Sequence, residues 1–235
     1  MKSIRKTPSG GFTLVELLVV IAIISILLTL GSVAMRNSGG KGVTAATATA
    51  EAVFEEARSI AVGKGTRARV LVDVDGTGAT RSDSFLRRMV VAYEELDANG
   101  QPQANKWVLS SRGYSFPDKT YFSQVYSKRD HQGGSGDLEK MRLTGVSSMF
   151  EGEYAYYEFN SEGICTTGLK GSGDYSPPSF VVGSGVLPEG DTSPRITGDG
   201  KRDFGGFVIW RNGATSLFRD PSQILGSGDP AQKNF

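Results

Sequence analysis

Residues Phe12 to Leu30 read FTLVELLVVIAIISILLTL, an apolar run broken only by Thr13, Glu16, Ser25 and Thr29. A helix of this length is roughly 28 Å long at the usual rise per residue, close to the ~30 Å hydrocarbon core of a bilayer. The pattern predicts a transmembrane helix over residues 12–35. Lys2, Arg5 and Lys6 come before any acidic residue. Such a basic head stays in the cytoplasm, so the long C-terminal part is expected to be exported. Arg36 and Lys41 beyond the run weaken that asymmetry without reversing it.

The next stretch, Arg36 to Gly42 (RNSGGKG), is rich in glycine and predicts a hinge just outside the membrane. Helical spacing resumes from Thr44 to Val62, with Ala46, Ala50, Val53, Ala57, Ile60 and Ala61 on one face. Glu51, Glu55 and Glu56 fall toward the other face, and Gly63 is the expected stop. From Thr66 the period changes to two. Ala68, Val70 and Val72 share one side of a strand from which Arg67, Arg69 and Leu71 are displaced. Phe85–Leu96, Lys106–Ser111, Tyr114–Phe116, Tyr154–Phe159 and Phe180–Val182 are further strand candidates. Phe207–Trp210 and Ala214–Phe218 flank Arg211-Asn212-Gly213, a strong hairpin signal. The expected fold class is therefore α+β: an N-terminal transmembrane helix, a hinge with a second helix over 36–62, and an antiparallel β domain over 63–225. Residues 226–235 read as a mobile tail.

Composition agrees with a strand-rich and turn-rich domain. The 31 glycines among 235 residues are about 13% of the chain against a usual ~7%. The net charge of +1 excludes a protein that coats nucleic acid by charge alone. Cys165, the single cysteine, excludes an intramolecular disulfide and a metal site built on cysteine clusters.

The N-terminus admits two readings. A secretory signal has a shorter apolar core and a small-x-small cleavage site, which Ser32-Val33-Ala34 would supply, with cleavage before Met35. The long run and Glu16 near its start argue against that. A carboxylate within an apolar span is costly, so Glu16 either reaches the headgroups or meets a partner that arrives later. Gly11-Phe12-Thr13-Leu14-Val15-Glu16-Leu17-Leu18 closely resembles the cleavage and methylation signature of type IV prepilins and type II secretion pseudopilins.

That resemblance implies cleavage by a prepilin peptidase between Gly11 and Phe12, on the cytoplasmic side, and methylation of the new Phe12 amine. Residues 1–11 would be the leader peptide, and Glu16 would pair with the Phe12 amine of a neighbouring subunit. Loss of the leader leaves 23 of the 26 basic side chains against 25 acidic ones, a formal charge of −2. The implied partners are the peptidase, other pilin or pseudopilin subunits, an inner-membrane assembly platform, and lipid before assembly. The implied protein is a single-pass subunit of the bacterial cytoplasmic membrane with a periplasmic or extracellular domain and no catalysis or cofactor of its own. Ala52 to Ala61 and Phe159-Asn160-Ser161-Glu162-Gly163 resemble, more loosely, the H-type minor pseudopilins, against which residues 80–145 read as an insertion. A minor pilin for DNA uptake or adhesion is the alternative reading, and a signal-anchored exported enzyme a further one.

Other candidate sites have plainer explanations. Asp73, Asp75 and Asp83 surround Gly76 and Gly78, and such a loop could hold Ca²⁺, but the EF-hand spacing and its final Glu are missing. A solvated turn explains them better. His131, the lone histidine, sits in a polar Gly-rich loop, with neither G-x-S-x-G nor H-E-x-x-H elsewhere. Arg67, Arg69, Arg81, Arg87 and Arg88 could form a DNA-binding patch, yet Arg87 and Arg88 would point to opposite faces of a strand. Tyr154, Tyr156 and Tyr157 read as sheet packing.

Overall fold

The computed structural model describes residues 14–21, 23–25, 38–76, 81–196, 203–226 and 233–235. The chain divides into two units, Met1–Ser38 and Gly39–Phe235. In the first, residues 14–21 and 23–25 are helical. Among the described residues no helix is long and apolar enough to cross a membrane. Residues 12, 13, 22 and 26–37 of the expected span and hinge lie outside the described residues.

Helix α1 (Ser38–Lys64) belongs to the second unit but for its first residue. It starts inside the stretch expected to break it and takes in Gly39, Gly40 and Gly42. At Gly42 the reason is close packing, since a Cβ there would lie 2.8 Å from Thr120 Oγ1. Ala46, Ala50, Val53, Phe54, Ala57 and Ala61 recur at helical spacing and are fully buried. The stop is Gly65, not Gly63. Gly65 adopts φ 64°, its N–H donates to Val62 C=O at 3.3 Å, and the Thr66 N–H donates to Ala61 C=O at 3.2 Å. This double bond pattern needs a left-handed residue, which glycine supplies without strain.

In chain order the strands are β1 (Ala68–Asp73), β2 (Arg88–Leu96), β3 (Pro102–Leu109), β4 (Tyr114–Ser115), β5 (Thr120–Phe122), β6 (Lys140–Leu143), β7 (Gly152–Phe159), β8 (Ser179–Ser184), β9 (Phe204–Ile209) and β10 (Thr215–Leu217). A single turn, α2 (Arg81–Ser84), precedes β2. One sheet has the order β3-β2-β1-β7-β6, with β4 also on β2, and the other β10-β9-β8-β5. All pairings are antiparallel, and Val70 faces Val91 on one side and Tyr157 on the other. The Asn-Gly hairpin closes β9 on β10, with Trp210 N–H donating to Ala214 C=O at 2.8 Å.

Helix α1 lies against both sheets. Phe54 is its central side chain, with ring centroids 4.9 Å from Tyr157, 5.1 Å from Phe207 and 5.5 Å from Phe180. Val70, Val72, Met89 and Val91 of the first sheet and Phe122, Val182 and Ile209 of the second complete this core. Leu71, displaced from the inward face by alternation, is also fully buried, in a second cluster with Val90, Ala92, Leu143 and Tyr154. The 144–151 loop covers that outer face. It is fixed there because Arg88 donates to Met149 C=O and the Tyr154 hydroxyl to Phe150 C=O at 2.9 Å.

Of the stretch read as an insertion, residues 81–145 are built into both sheets. They supply β2 to β6, and β2 pairs directly with β1. The end of the chain also differs from the expected tail. Phe235 is 1% exposed, and Ile196 N–H donates to Lys233 C=O at 2.9 Å. Residues 227–232 lie outside the described residues.

Candidate functional site

From Leu14 to Ile24, nine large apolar side chains among the described residues are 47–80% exposed. They point in every direction around the helix, so this element has no polar face to turn to water. An exposed apolar surface of this kind marks contact with lipid or protein. Its polar side chains are few. The Ser25 hydroxyl donates to Ile21 C=O one turn back, at 2.7 Å, which satisfies it within the helix. Glu16 is exposed on this helix and is the sole charged residue in the sequence between Lys6 and Arg36.

Residues 6–32 match the family model of the prokaryotic N-terminal methylation motif. The N-terminus thus carries a prokaryotic methylation motif. Gly11 and Phe12, the expected cleavage and methylation pair, lie inside the match but outside the described residues. Solved structures similar to this chain include the following two. One is the type IV minor pilin FimU of Pseudomonas aeruginosa, at 11% identity and a TM-score of 0.34, covering 75% of this chain and 87% of that one. The other is the minor pseudopilin EpsH from the type 2 secretion system of Vibrio cholerae, at 14% identity and a TM-score of 0.39, covering 75% and 95%. Neither likeness carries function to this chain. No curated protein is a significant sequence match.

The β domain, later in the sequence, does not gather the other candidates into a site. Asp73 is buried at the end of β1, where its Oδ1 accepts the Asp75 N–H at 3.0 Å. Burial pushes its carboxyl upward, against the Ser84 hydroxyl that holds it down. Asp75 turns instead to the Glu153 N–H at 3.3 Å, and Asp83 is exposed on α2. Among the described residues no group of three or more His, Cys, Asp or Glu is placed to hold a metal ion.

Four of the five candidate arginines, Arg67, Arg69, Arg87 and Arg88, are held by partners. Arg67 donates twice to Glu94, at 3.0 and 2.7 Å. The Arg69 guanidinium meets Glu158 at 2.7 Å and lies between the rings of Trp107 and Tyr156, 4.2 and 3.9 Å from their centroids. Arg87 reaches Asp118 at 2.8 Å, and Arg88 takes the 144–151 loop. Arg81 opens α2. This ladder across the first sheet was invisible in sequence because its acidic partners lie 27 to 89 residues away. Tyr154 and Tyr157 are buried as expected, while Tyr156 faces outward and donates to Glu139.

His131 is half-buried rather than free on the surface. Its ring lies 5.0 Å from that of Phe218, and burial pushes its pKa down, opposed by the Gln223 backbone and by Asp130. A folded value below the unfolded one means that His131 contributes stability above the unfolded pKa of ~6.5. That contribution is lost as pH falls through the folded value. As the only histidine, it gives a single imidazole signal in proton NMR. The titration midpoint of that signal is expected below ~6.5, and a midpoint above it would contradict the burial described here.

Proposed function

We propose that this chain is a structural subunit of a pilin-like filament, anchored by its apolar N-terminal helix before assembly and cleaved after Gly11 by a prepilin peptidase. The observation that carries this reading is the methylation motif at 6–32, which takes in a helix whose apolar side chains are exposed all round. Lipid covers such a helix in the membrane, and neighbouring helices cover it in a filament. Methylated Phe12 then supplies the cation that Glu16 takes as partner in the next subunit. A carboxylate is tolerable in an apolar bundle once paired and costly otherwise. The β domain is the exported, exposed part.

In its finer form the proposal is a minor pseudopilin of the H type, exporting protein through a type II secretion system. Its support is the α1 segment Ala52–Ala61 and the turn after β7. In that turn Asn160 Oδ1 accepts the N–H groups of Glu162 and Ile164 at 3.0 and 2.9 Å. The pairing of Arg67, Arg69 and Arg87 with carboxylates disfavours the DNA-uptake alternative, since a phosphate backbone needs unpaired cations.

Filaments sheared or purified from cells expressing the chain test the proposal. The chain is expected in the filament fraction, and deletion of the prepilin peptidase should leave it in the membrane at precursor length. A chain absent from filaments and unchanged by that deletion would overturn the proposal.

A further inference from the structure

Segment 218–226 packs on the outer face of the second sheet and is clasped there by the turn at 131–134. Phe218 N–H donates to Gly206 C=O at 2.9 Å, and Ile224 is 1% exposed in a cluster with Tyr126, Val181 and Phe204. The His131 imidazole meets this segment twice, at the Phe218 ring, 5.0 Å away, and at the Gln223 backbone. In the same turn Gly134 lies against Leu225, so closely that a Cβ there would collide with the leucine.

Much of the segment's hydrogen bonding is its own. Gln223 Oε1 accepts the N–H groups of Arg219 and Asp220 at 2.6 and 3.1 Å, and Asp220 Oδ1 accepts the Ser222 N–H at 2.8 Å. These bonds survive if the segment lifts as a unit. Its packing beside His131 is thin. Leu225 is 55% exposed, and a cavity of about 240 Å³ is lined by Val125, Tyr126, Lys128, His131 and Leu225.

The charges around the imidazole do not secure a proton there. Asp130 already takes Lys170 at 2.9 Å, the Gly133 N–H at 2.7 Å and the Ser176 hydroxyl. Lys128, on the wall of the same cavity, is a cation paired with Asp137 at 2.6 Å. The segment itself brings Arg219 and Asp220, both exposed. Burial outweighs these groups and keeps the closed imidazole neutral, with its pKa below the ordinary value. Once the segment lifts, the ring regains water and the ordinary value of ~6.5. The open form then binds more protons, so it gains on the closed form as the pH falls below ~6.5.

We propose that His131 works a pH-operated clasp: its protonation lifts segment 218–226 and withdraws Ile224 from the apolar cluster, a local opening that leaves the two sheets in place. The clasp does not depend on the filament role proposed above.

Nitroxide labels on Ser59→Cys and Ser222→Cys, both exposed positions, read the distance from α1 to the segment in the full-length chain in detergent. Cys165 is buried and stays unlabelled. Pulsed electron paramagnetic resonance is expected to give one distance at about pH 7.5 and a second, distinct population at about pH 5. In His131→Gln, which cannot take the proton, the distributions at the two pH values should coincide. A wild-type distribution unchanged by acid, or a change of equal size in His131→Gln, would overturn the clasp.

Discussion

Phe54→Ala is expected to lower the stability of the β domain by about 3–5 kcal/mol, the usual cost of emptying an aromatic core site. The Phe54 ring stands edge-on to Tyr157, Phe159, Phe180 and Phe207, which belong to both sheets. It is therefore the side chain through which α1 holds the two sheets together. Such edge-to-face contacts add about 0.5–1.5 kcal/mol each beyond area burial. Neighbours drawn from two sheets have little freedom to close the gap, which places this site at the costly end of the range. Against a total of ~5–15 kcal/mol for a domain, most of the stability could go. Urea unfolding of the full chain in detergent, followed by circular dichroism, measures it. Ser59→Ala, on the exposed side of the same helix, should leave the midpoint unchanged. A Phe54→Ala loss below about 1 kcal/mol would contradict the central position given to this ring.

Glu16→Ala is expected to insert into the membrane and to be cleaved normally, yet to enter filaments poorly. In the membrane the carboxylate is a liability on an otherwise apolar helix, so its removal does not hinder insertion. In the proposed filament the substitution strands the Phe12 amine of the neighbouring subunit in an apolar bundle. Breaking one side of a buried pair costs about 3–5 kcal/mol, enough to reduce incorporation by more than a hundredfold at equilibrium. Crosslinking to other filament subunits, compared at equal membrane abundance, reads the effect. Equal incorporation of mutant and wild type would remove the assembly role of Glu16.

Local patterns were the legible part of the fold. Ala46, Ala50, Val53, Ala57 and Ala61 marked the buried face of α1 by spacing alone, and Val70 and Val72 marked the inner face of β1. Phe54 sits in the same stripe but also borders Glu55 and Glu56 in sequence, and nothing local says that four rings converge on it. Leu71 obeyed strand alternation by pointing away from α1. It is buried all the same because Arg88 and Tyr154 hold a loop over it, a contact without local trace. The glycines from 39 to 42 look like a hinge until Gly42 is found against Thr120. Phe235 looks like part of a tail until its ring is found against Phe204. The arginines suggested a patch because their charges could be counted, whereas Glu94 and Glu158 reach them only through the sheet register. For the candidate site the balance is reversed: the motif from Gly11 to Leu18 is a short contiguous signal, read more fully in sequence than in the folded domain.

The most direct test of the account is the mass of the N-terminal peptide of the protein isolated from membranes of a cell that has a prepilin peptidase. The expected peptide begins at Phe12 and carries one added methyl group on its amine. A peptide beginning at Met35 would contradict the account, since it would mean secretory cleavage and loss of the helix and of Glu16 together.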